Sequence, residues 1–307
     1  METIISGSLA LDRIMDFPGK FSDHILPDKI HMLNVCFMVN GLEEKFGGTA
    51  GNIAYNLGLL DEKPTIIGTA GKDFGEYKKW LEQNGIPTQG IRMLSDVPTA
   101  SAYITTDQDD NQIIGFNPGA MGHACKQEIN GAAGDDSLAI VSPGNLEDMQ
   151  KYPQVFREKN IPFICDPGQS IAALSGQQLR EMMRGSLILV CNDYELEQVS
   201  QKTGLGSEEM LKLTQNIIVT LGDRGAKIIT ETDEYSVPAV NVSSAPDPTG
   251  AGDAFRAGII KGLIQKKSLP DAAKIGAACA SFCVEQYGTQ IHSFTAAEFE
   301  QRLQTIN

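Results

Sequence analysis

Short runs of apolar, mostly β-branched residues alternate along most of the chain with longer stretches in which apolar positions recur every three or four residues. The short runs predict strands at Thr3–Ser6, Thr65–Gly68, Leu138–Ser142, Pro162–Cys165, Leu187–Cys191 and Asn216–Thr220. The longer stretches predict helices near Gly51–Leu60, Phe74–Asn84, Leu146–Lys159, Tyr194–Thr203, Gly252–Lys266 and Asp271–Tyr287. Strand and helix in alternation mark βαβ units, so the expected fold is α/β, with a mostly parallel central sheet flanked by helices. Two regions break the rhythm. Leu11 to Phe46 is long, irregular and rich in large apolar residues, while Thr99–Thr106 and Gln112–Phe116, joined at Asp109-Asp110-Asn111, read as a β-hairpin. The expected organisation is an α/β body of residues 1–10, 47–98 and 117–307, carrying a small discontinuous β lid from residues 11–46 and 99–116. Interruptions of that length inside a compact domain are usually either functional or misassigned, and the functional reading is the expectation here.

The residues just past each strand matter most for chemistry. Ligands of open parallel sheets gather outside the carboxyl ends of the strands, near the point where strand order reverses. Gly7 and Asp12 come after the first run, Asp166-Pro167-Gly168 after another, Asn192-Asp193-Tyr194-Glu195 after another, and Leu221-Gly222-Asp223 after another. Polar residues and glycines therefore recur at one edge.

Composition narrows the partners. With 25 Lys+Arg against 39 Asp+Glu, the 307 residues carry a formal charge of −14. No basic block is present to track a phosphate backbone, so nucleic acid is excluded as a partner. A small anion remains possible, because a few amides and one or two local cations hold a phosphate whatever the total charge. No run reaches the roughly 18 apolar residues of a membrane span. The start, Met1-Glu2-Thr3, lacks the positive charge of a signal peptide, so the chain reads as cytoplasmic. Cys36, Cys125, Cys165, Cys191, Cys279 and Cys283 include no Cys-x-x-Cys pair and read as reduced, buried thiols.

Two motifs can carry chemistry. Asp247-Pro248-Thr249-Gly250-Ala251-Gly252-Asp253 immediately precedes an apolar-periodic helix. Gly250 and Gly252, flanking Ala251, let the backbone turn tightly so that several N–H groups converge at the helix start, where the helix dipole also favours an anion. Asp253 falls in the first turn, where the dipole keeps a carboxylate ionised and able to take a proton from an attacking hydroxyl. Read alone, the same residues are equally an acidic helix start after a glycine turn. The segment is not a dinucleotide fingerprint, because Phe255 stands at the third glycine position. Nor does Gly71-Lys72-Asp73 make a Walker A loop. Upstream, Phe46-Gly47-Gly48-Thr49-Ala50-Gly51-Asn52 leads into another helix. The glycine pair permits close backbone approach to a ligand, Asn52 offers a donor and an acceptor to vicinal hydroxyls, and Asp12 adds acceptors. Separately, Gly47-Gly48 is also a plain loop and Asp12 a solvated carboxylate.

Together the two motifs resemble the paired signatures of the ribokinase (PfkB) family of carbohydrate and nucleoside kinases, and the resemblance spans essentially the whole chain. It implies MgATP-dependent phosphorylation of a primary hydroxyl. Gly47, Gly48 and Asn52, with Asp12, would hold the sugar. Gly250, Ala251 and Gly252 would form the anion hole, and Asp253 would be the base. Asn192-Asp193-Tyr194-Glu195 fits the family's Asn-x-x-Glu motif, in which Glu195 would order Mg²⁺ through water. Asn192, Thr220, Gly222 and Gly225 would lie on the nucleotide side. Pro248 replaces the family's usual Thr, which leaves a monovalent cation such as K⁺ near Asp247 open. Residues 7–14, 24–29, 113–121 and 166–169 resemble a bacterial adenosine kinase branch, which implies adenosine as acceptor, with ribose or a fructose derivative as the sugar-kinase alternative and a non-catalytic nucleoside sensor as a further one. Phe37, Met38, Phe46 and Phe116, in the two lid segments, either sandwich a planar base or form the lid's own core or a dimer face, so both monomer and homodimer stand open. Arg256 is either a phosphate contact or a solvated helix arginine.

Overall fold

The computed structural model describes residues 1–109, 111–129 and 136–306. Its larger sheet takes β1 (Glu2–Ser6), β4 (Thr65–Ala70), β5 (Ile91–Met93), β8 (Ser137–Val141), β9 (Phe163–Cys165), β10 (Ile188–Asn192), β11 (Ile217–Thr220), β12 (Ala226–Ile229) and β13 (Glu234–Val237). The order across it is β13-β12-β11-β10-β9-β8-β1-β4-β5. All pairings from β5 to β11 are parallel, and β12 runs antiparallel to both neighbours. From β1 the chain winds outward to β4 and β5, then crosses back to β8 and winds the other way. The switch point therefore lies between β1 and β8, where Ser6 pairs with Val141.

The central strands are apolar on both faces because both are covered. All five residues of β8 are buried, and alternate residues serve opposite cores. Ile5, Leu138 and Ile140 join the core beneath α1 (Thr49–Leu59), α2 (Gly75–Gln83), α7 (Ala251–Ile264) and α8 (Leu269–Val284), against which α9 (Ala296–Leu303) also packs. Ile4, Ala139 and Val141 join the core beneath α3 (Leu146–Glu158), α4 (Gly176–Met183), α5 (Asp193–Thr203) and α6 (Ser207–Met210). One helix pair is unusually close. A Cβ on Gly258 of α7 would stand 2.5 Å from the Gly276 backbone of α8, and one on Gly262 would stand 2.5 Å from Ala272. This small-residue seam seats α7 deep in the helical layer, so its N-terminus faces the strand ends.

The smaller sheet has the order β3-β2-β6-β7, from β2 (Ala10–Asp16), β3 (Asn40–Gly47), β6 (Ala100–Thr106) and β7 (Gln112–Asn117). The expected hairpin is β6–β7; Asp110 of its turn lies outside the described residues. The stretch from Leu11 to Phe46 is not irregular throughout, since it begins in β2 and ends in β3. Those strands escape a periodicity search because Asp12, Arg13 and Asp16 interrupt one and Glu43, Glu44 and Lys45 fill the other. Ladder pairing, including β2 parallel to β6, holds them instead. Between them Phe37 packs on Phe17 and Phe21, with ring centroids 4.8 and 5.1 Å away.

Cys125, Cys165, Cys191, Cys279 and Cys283 are buried and unpaired, but Cys36 is exposed, against expectation. Among the described residues no helix is long and apolar enough to cross a membrane.

Candidate active site

A cavity of about 890 Å³ opens at the carboxyl edge of the large sheet, over the β1/β8 switch point. Its wall draws Ser8 from beyond β1, Pro143 and Gly144 from beyond β8, Asp166 from beyond β9, Asn192 from β10 and Thr220 from β11. Asp12, Gly48, Asn52, Phe116, Glu195, Gly222, Gly225, Gly250, Ala251, Gly252 and Asp253 line it too. Gly47 does not. It stands behind the wall, where a side chain would come within 2.7 Å of Asp12 Oδ2. The glycine thus leaves room for the carboxylate rather than for a ligand.

Two glycines start the helices that aim at this cavity. Gly48 has φ +87° and caps α1, and a Cβ there would stand 2.6 Å from Ser8 O. Gly250 has φ +81° and caps α7. L-residues resist both conformations, so glycine fixes where each helix begins. At the start of α7 the Ala251 N–H donates to Pro248 O at 3.2 Å, so Ala251 does not contribute the free amide expected of it. The N–H groups of Gly250, Gly252 and Asp253 have no hydrogen-bond partner among the described residues. Asp247 ties the loop down, accepting from Thr249 N and Gly288 N, both at 2.9 Å.

The two motifs meet. Asn52 Nδ2 donates to Asp253 Oδ2 at 2.8 Å across 201 residues of sequence. Burial pushes the Asp253 carboxyl above the usual carboxylate range, against the Arg256 charge and the Asn52 amide, and Glu195 adds to the rise. Desolvation thus works against the helix dipole, which favours the ionised carboxylate at the start of α7. Burial likewise raises Asp12 to about 6, helped by Asp247 and opposed by Lys45.

Arg256 is neither a solvated residue nor directed mainly at the cavity. It is 8% exposed, and its Nε and Nη2 lie 2.6 and 2.7 Å from the two carboxylate oxygens of Asp166. Asp166 is fully buried, and desolvation pushes it to about 7 even with Arg256 against it. The sequence signal for this pair was a charge on an apolar helix face, which burial obliges to find a partner.

Asn192 and Glu195 form a reciprocal capping box on α5, with Asn192 N donating to Glu195 Oε2 at 2.9 Å and Glu195 N to Asn192 Oδ1 at 2.7 Å. The box holds Glu195 at the cavity wall. No group of three metal-type ligands exists among the described residues. One half-buried carboxylate at a phosphate-sized cradle suits Mg²⁺, which keeps most of its waters and leans on substrate phosphates. Of the four residues that might have met a base, only Phe116 lines the cavity. Phe37 belongs to the lid's aromatic cluster, Phe46 stacks on Tyr77 at 4.6 Å, and Met38 is 85% exposed. Sequence reasoning missed Tyr77 and Gln290, which back Asn52 from inside the core. No local pattern marks either.

Residues 23–296 match the family model described as pfkB family carbohydrate kinase. The nucleoside kinase of Burkholderia thailandensis, solved in complex with inosine, superposes with a TM-score of 0.87 at 35% identity, covering 99% of this chain and 97% of that one. The same enzyme in complex with ADP-inosine gives 0.85 at 37%, covering 99% and 95%. The nucleoside kinase of Methanocaldococcus jannaschii is 29% identical over 88% of this chain and 89% of its own. An ATP-dependent ribose-1-phosphate kinase of Halopiger xanaduensis is 25% identical over 80% and 82%. Fold, cavity and sequence agree: the chain belongs to the pfkB family of carbohydrate kinases, and is a phosphotransferase of nucleoside or sugar hydroxyls.

Proposed function

We propose that the protein transfers the γ-phosphoryl group of MgATP to the 5′-hydroxyl of a purine nucleoside, with adenosine, giving AMP, as the first acceptor to test. The observation that carries this reading is the hydrogen bond from Asn52 to Asp253, which joins a hydroxyl clamp to a proton acceptor inside one cavity. Asp12, Gly48 and Asn52 orient the ribose. Asp253 Oδ1, the oxygen Asn52 leaves free, takes the hydroxyl proton while that oxygen attacks the γ-phosphorus; the bond to the bridging oxygen breaks and ADP leaves with its electron pair. Free amides at Gly250 and Gly252 hold the developing charge, and Asn192, Thr220, Gly222 and Gly225 wall the nucleotide end. Mg²⁺, when bound, screens the phosphates, and Glu195 is placed to order it through water.

Support for a nucleoside over a free sugar comes from the nucleoside kinases that this chain resembles and from the cavity, which extends past the clamp to Phe116 and Met121. The test is an ADP-release panel with MgATP, in sodium and in potassium buffers, over adenosine, inosine, guanosine, cytidine, ribose, ribose 1-phosphate and fructose. Adenosine or inosine should lead. A free or phosphorylated sugar preferred tenfold or more in kcat/KM would replace this reading with a sugar kinase.

A further inference from the structure

An asparagine amide can face its neighbours with nitrogen or with oxygen, and only one face helps Asp253. The choice is made from behind. Gln290, 2% exposed, donates Nε2 to Asn52 Oδ1 at 3.0 Å and to the Tyr77 hydroxyl oxygen at 2.5 Å. Tyr77 is fully buried and donates in turn to Gly47 O at 2.9 Å. A carbonyl oxygen only accepts, so the Tyr77 hydrogen is committed and its oxygen must accept. Gln290 must then present nitrogen to Tyr77 and to Asn52. Asn52 must present oxygen to Gln290 and nitrogen to Asp253. Gly51 makes the approach possible, since a Cβ there would overlap the Tyr77 hydroxyl. A second observation shows that Gln290 is kept for its donors. Its Oε1 is buried with no partner, an unmet acceptor that an apolar residue of that size would not create.

We propose that Tyr77 and Gln290 are positioning residues for the phosphoryl transfer: a hydrogen-bond chain of fixed polarity holds the Asn52 nitrogen on Asp253 Oδ2, so Oδ1 receives the acceptor's proton. The proposal rests on reading Asp253 as the base. The ionisable groups coupled to Asp253 are Arg256 on its own helix, Glu195 on α5, Asp166 beyond β9, Cys283 on α8 and the Tyr77 phenol of α2, which also feels Asp12. Gln290→Met alters none of them, Tyr77→Phe removes only a phenol that burial keeps neutral, and Gln290→Glu adds a carboxyl.

The experiment compares Tyr77→Phe, Gln290→Met, Gln290→Glu and Asp253→Asn for folding by thermal melting, for kcat and KM with the preferred acceptor, and for the pH profile of kcat. Gln290→Met should lower kcat by roughly tenfold, as expected from loosening the charge-assisted bond of Asn52 to Asp253, with KM changed far less. Its acidic limb should move to higher pH, because Asn52, no longer held from behind, keeps its nitrogen on Asp253 less of the time and so favours the ionised form less. Gln290→Glu should do worse, since an acceptor there pulls the Asn52 nitrogen off Asp253. Tyr77→Phe should show the same direction with smaller size. Folded Gln290 variants with unchanged kcat and an unmoved acidic limb would overturn the proposal. If Gln290→Glu does not fold, Tyr77→Phe, which removes a single oxygen, decides on the same two readouts. Asp253→Asn separates the levels. If it keeps activity within tenfold of wild type, the base reading itself falls. If it is inactive while the 77 and 290 variants are normal, only the positioning falls.

Discussion

His292 closes the same polar cluster from below: its Nε2 lies 2.8 Å from Asn56 Oδ1, and Asn56 Nδ2 donates to Asn52 O at 2.9 Å. Because Asn56 presents oxygen, Nε2 carries the hydrogen and Nδ1 is left bare and buried. Protonating Nδ1 would bury a charge with no acceptor, and desolvation accordingly lowers the His292 pKa from 6.5 to about 4. A histidine whose folded pKa is depressed binds its proton in the unfolded chain first. Stability from His292 is therefore present above about 6.5 and is lost as pH falls toward about 4. Asp12 and Asp166 act oppositely, since their raised values favour the folded state as pH falls through 6 or 7 toward 3.8. A difference measurement isolates the histidine: the stability advantage of wild type over His292→Gln, by urea unfolding, should shrink by about 2–3 kcal/mol from pH 7 to pH 4.5. A constant gap would show that His292 charges freely in the fold. At this scale the sequence displayed residue types but not partners. Asp253 and Asn52 were legible because each sits in a patterned loop before a helix. Asp166 with Arg256, 90 residues apart, and Gln290 with Asn52, 238 apart, are pairings only the folded chain creates.

The starts of α1 and α7 were legible because a glycine loop runs straight into an apolar period, whereas α4, α6 and α9 carry no such mark. The strands flanking the switch point were legible for a related reason, since fully buried parallel strands are unbroken apolar runs. The short outer strands β5, β12 and β13 escape because Arg92, Lys227 and Glu234 break the unbroken apolar run that marks the equally short β9 and β11, and the charged lid strands β2 and β3 have no such run. The α7/α8 seam shows what an element contributes beyond its own residues. Gly258 and Gly276 let the two helices close, and α7 carries the cradle amides and Asp253 at its other end. Gly258→Ala should cost roughly 1–3 kcal/mol by overpacking. Pushing α7 outward should also move its N-terminus, so kcat should fall by tenfold or more while most of the protein stays folded at 25 °C, as read by melting and steady-state rates on one preparation. Normal kcat with a lowered melting temperature would mean that the cradle is held by Asp247 and its loop rather than by the seam.

For the molecule as a whole, a charge of −14 must coexist with an anionic phosphate donor. The cavity meets this with little positive side-chain charge of its own. Its lining includes Arg256, already paired with Asp166, against Asp12, Asp166, Glu195, Asp223 and Asp253. Attraction for phosphate is thus short-ranged, from free amides, the α7 dipole and, under the proposed function, Mg²⁺ carried by the donor, whereas the long-range field is repulsive. Salt screens the long range first, with a Debye length of about 30 Å at 0.01 M falling to about 8 Å at 0.15 M. Raising ionic strength over that range with a monovalent salt that does not bind Mg²⁺, at fixed free Mg²⁺, should therefore increase kcat/KM for MgATP, by about two- to threefold, with kcat nearly unchanged. Most nucleotide sites built on lysine and arginine would respond in the opposite direction. A steep fall of kcat/KM with salt would mean that an approaching donor meets net positive potential, and that cations outside the cavity, such as Arg224 beside Asp193, govern its capture.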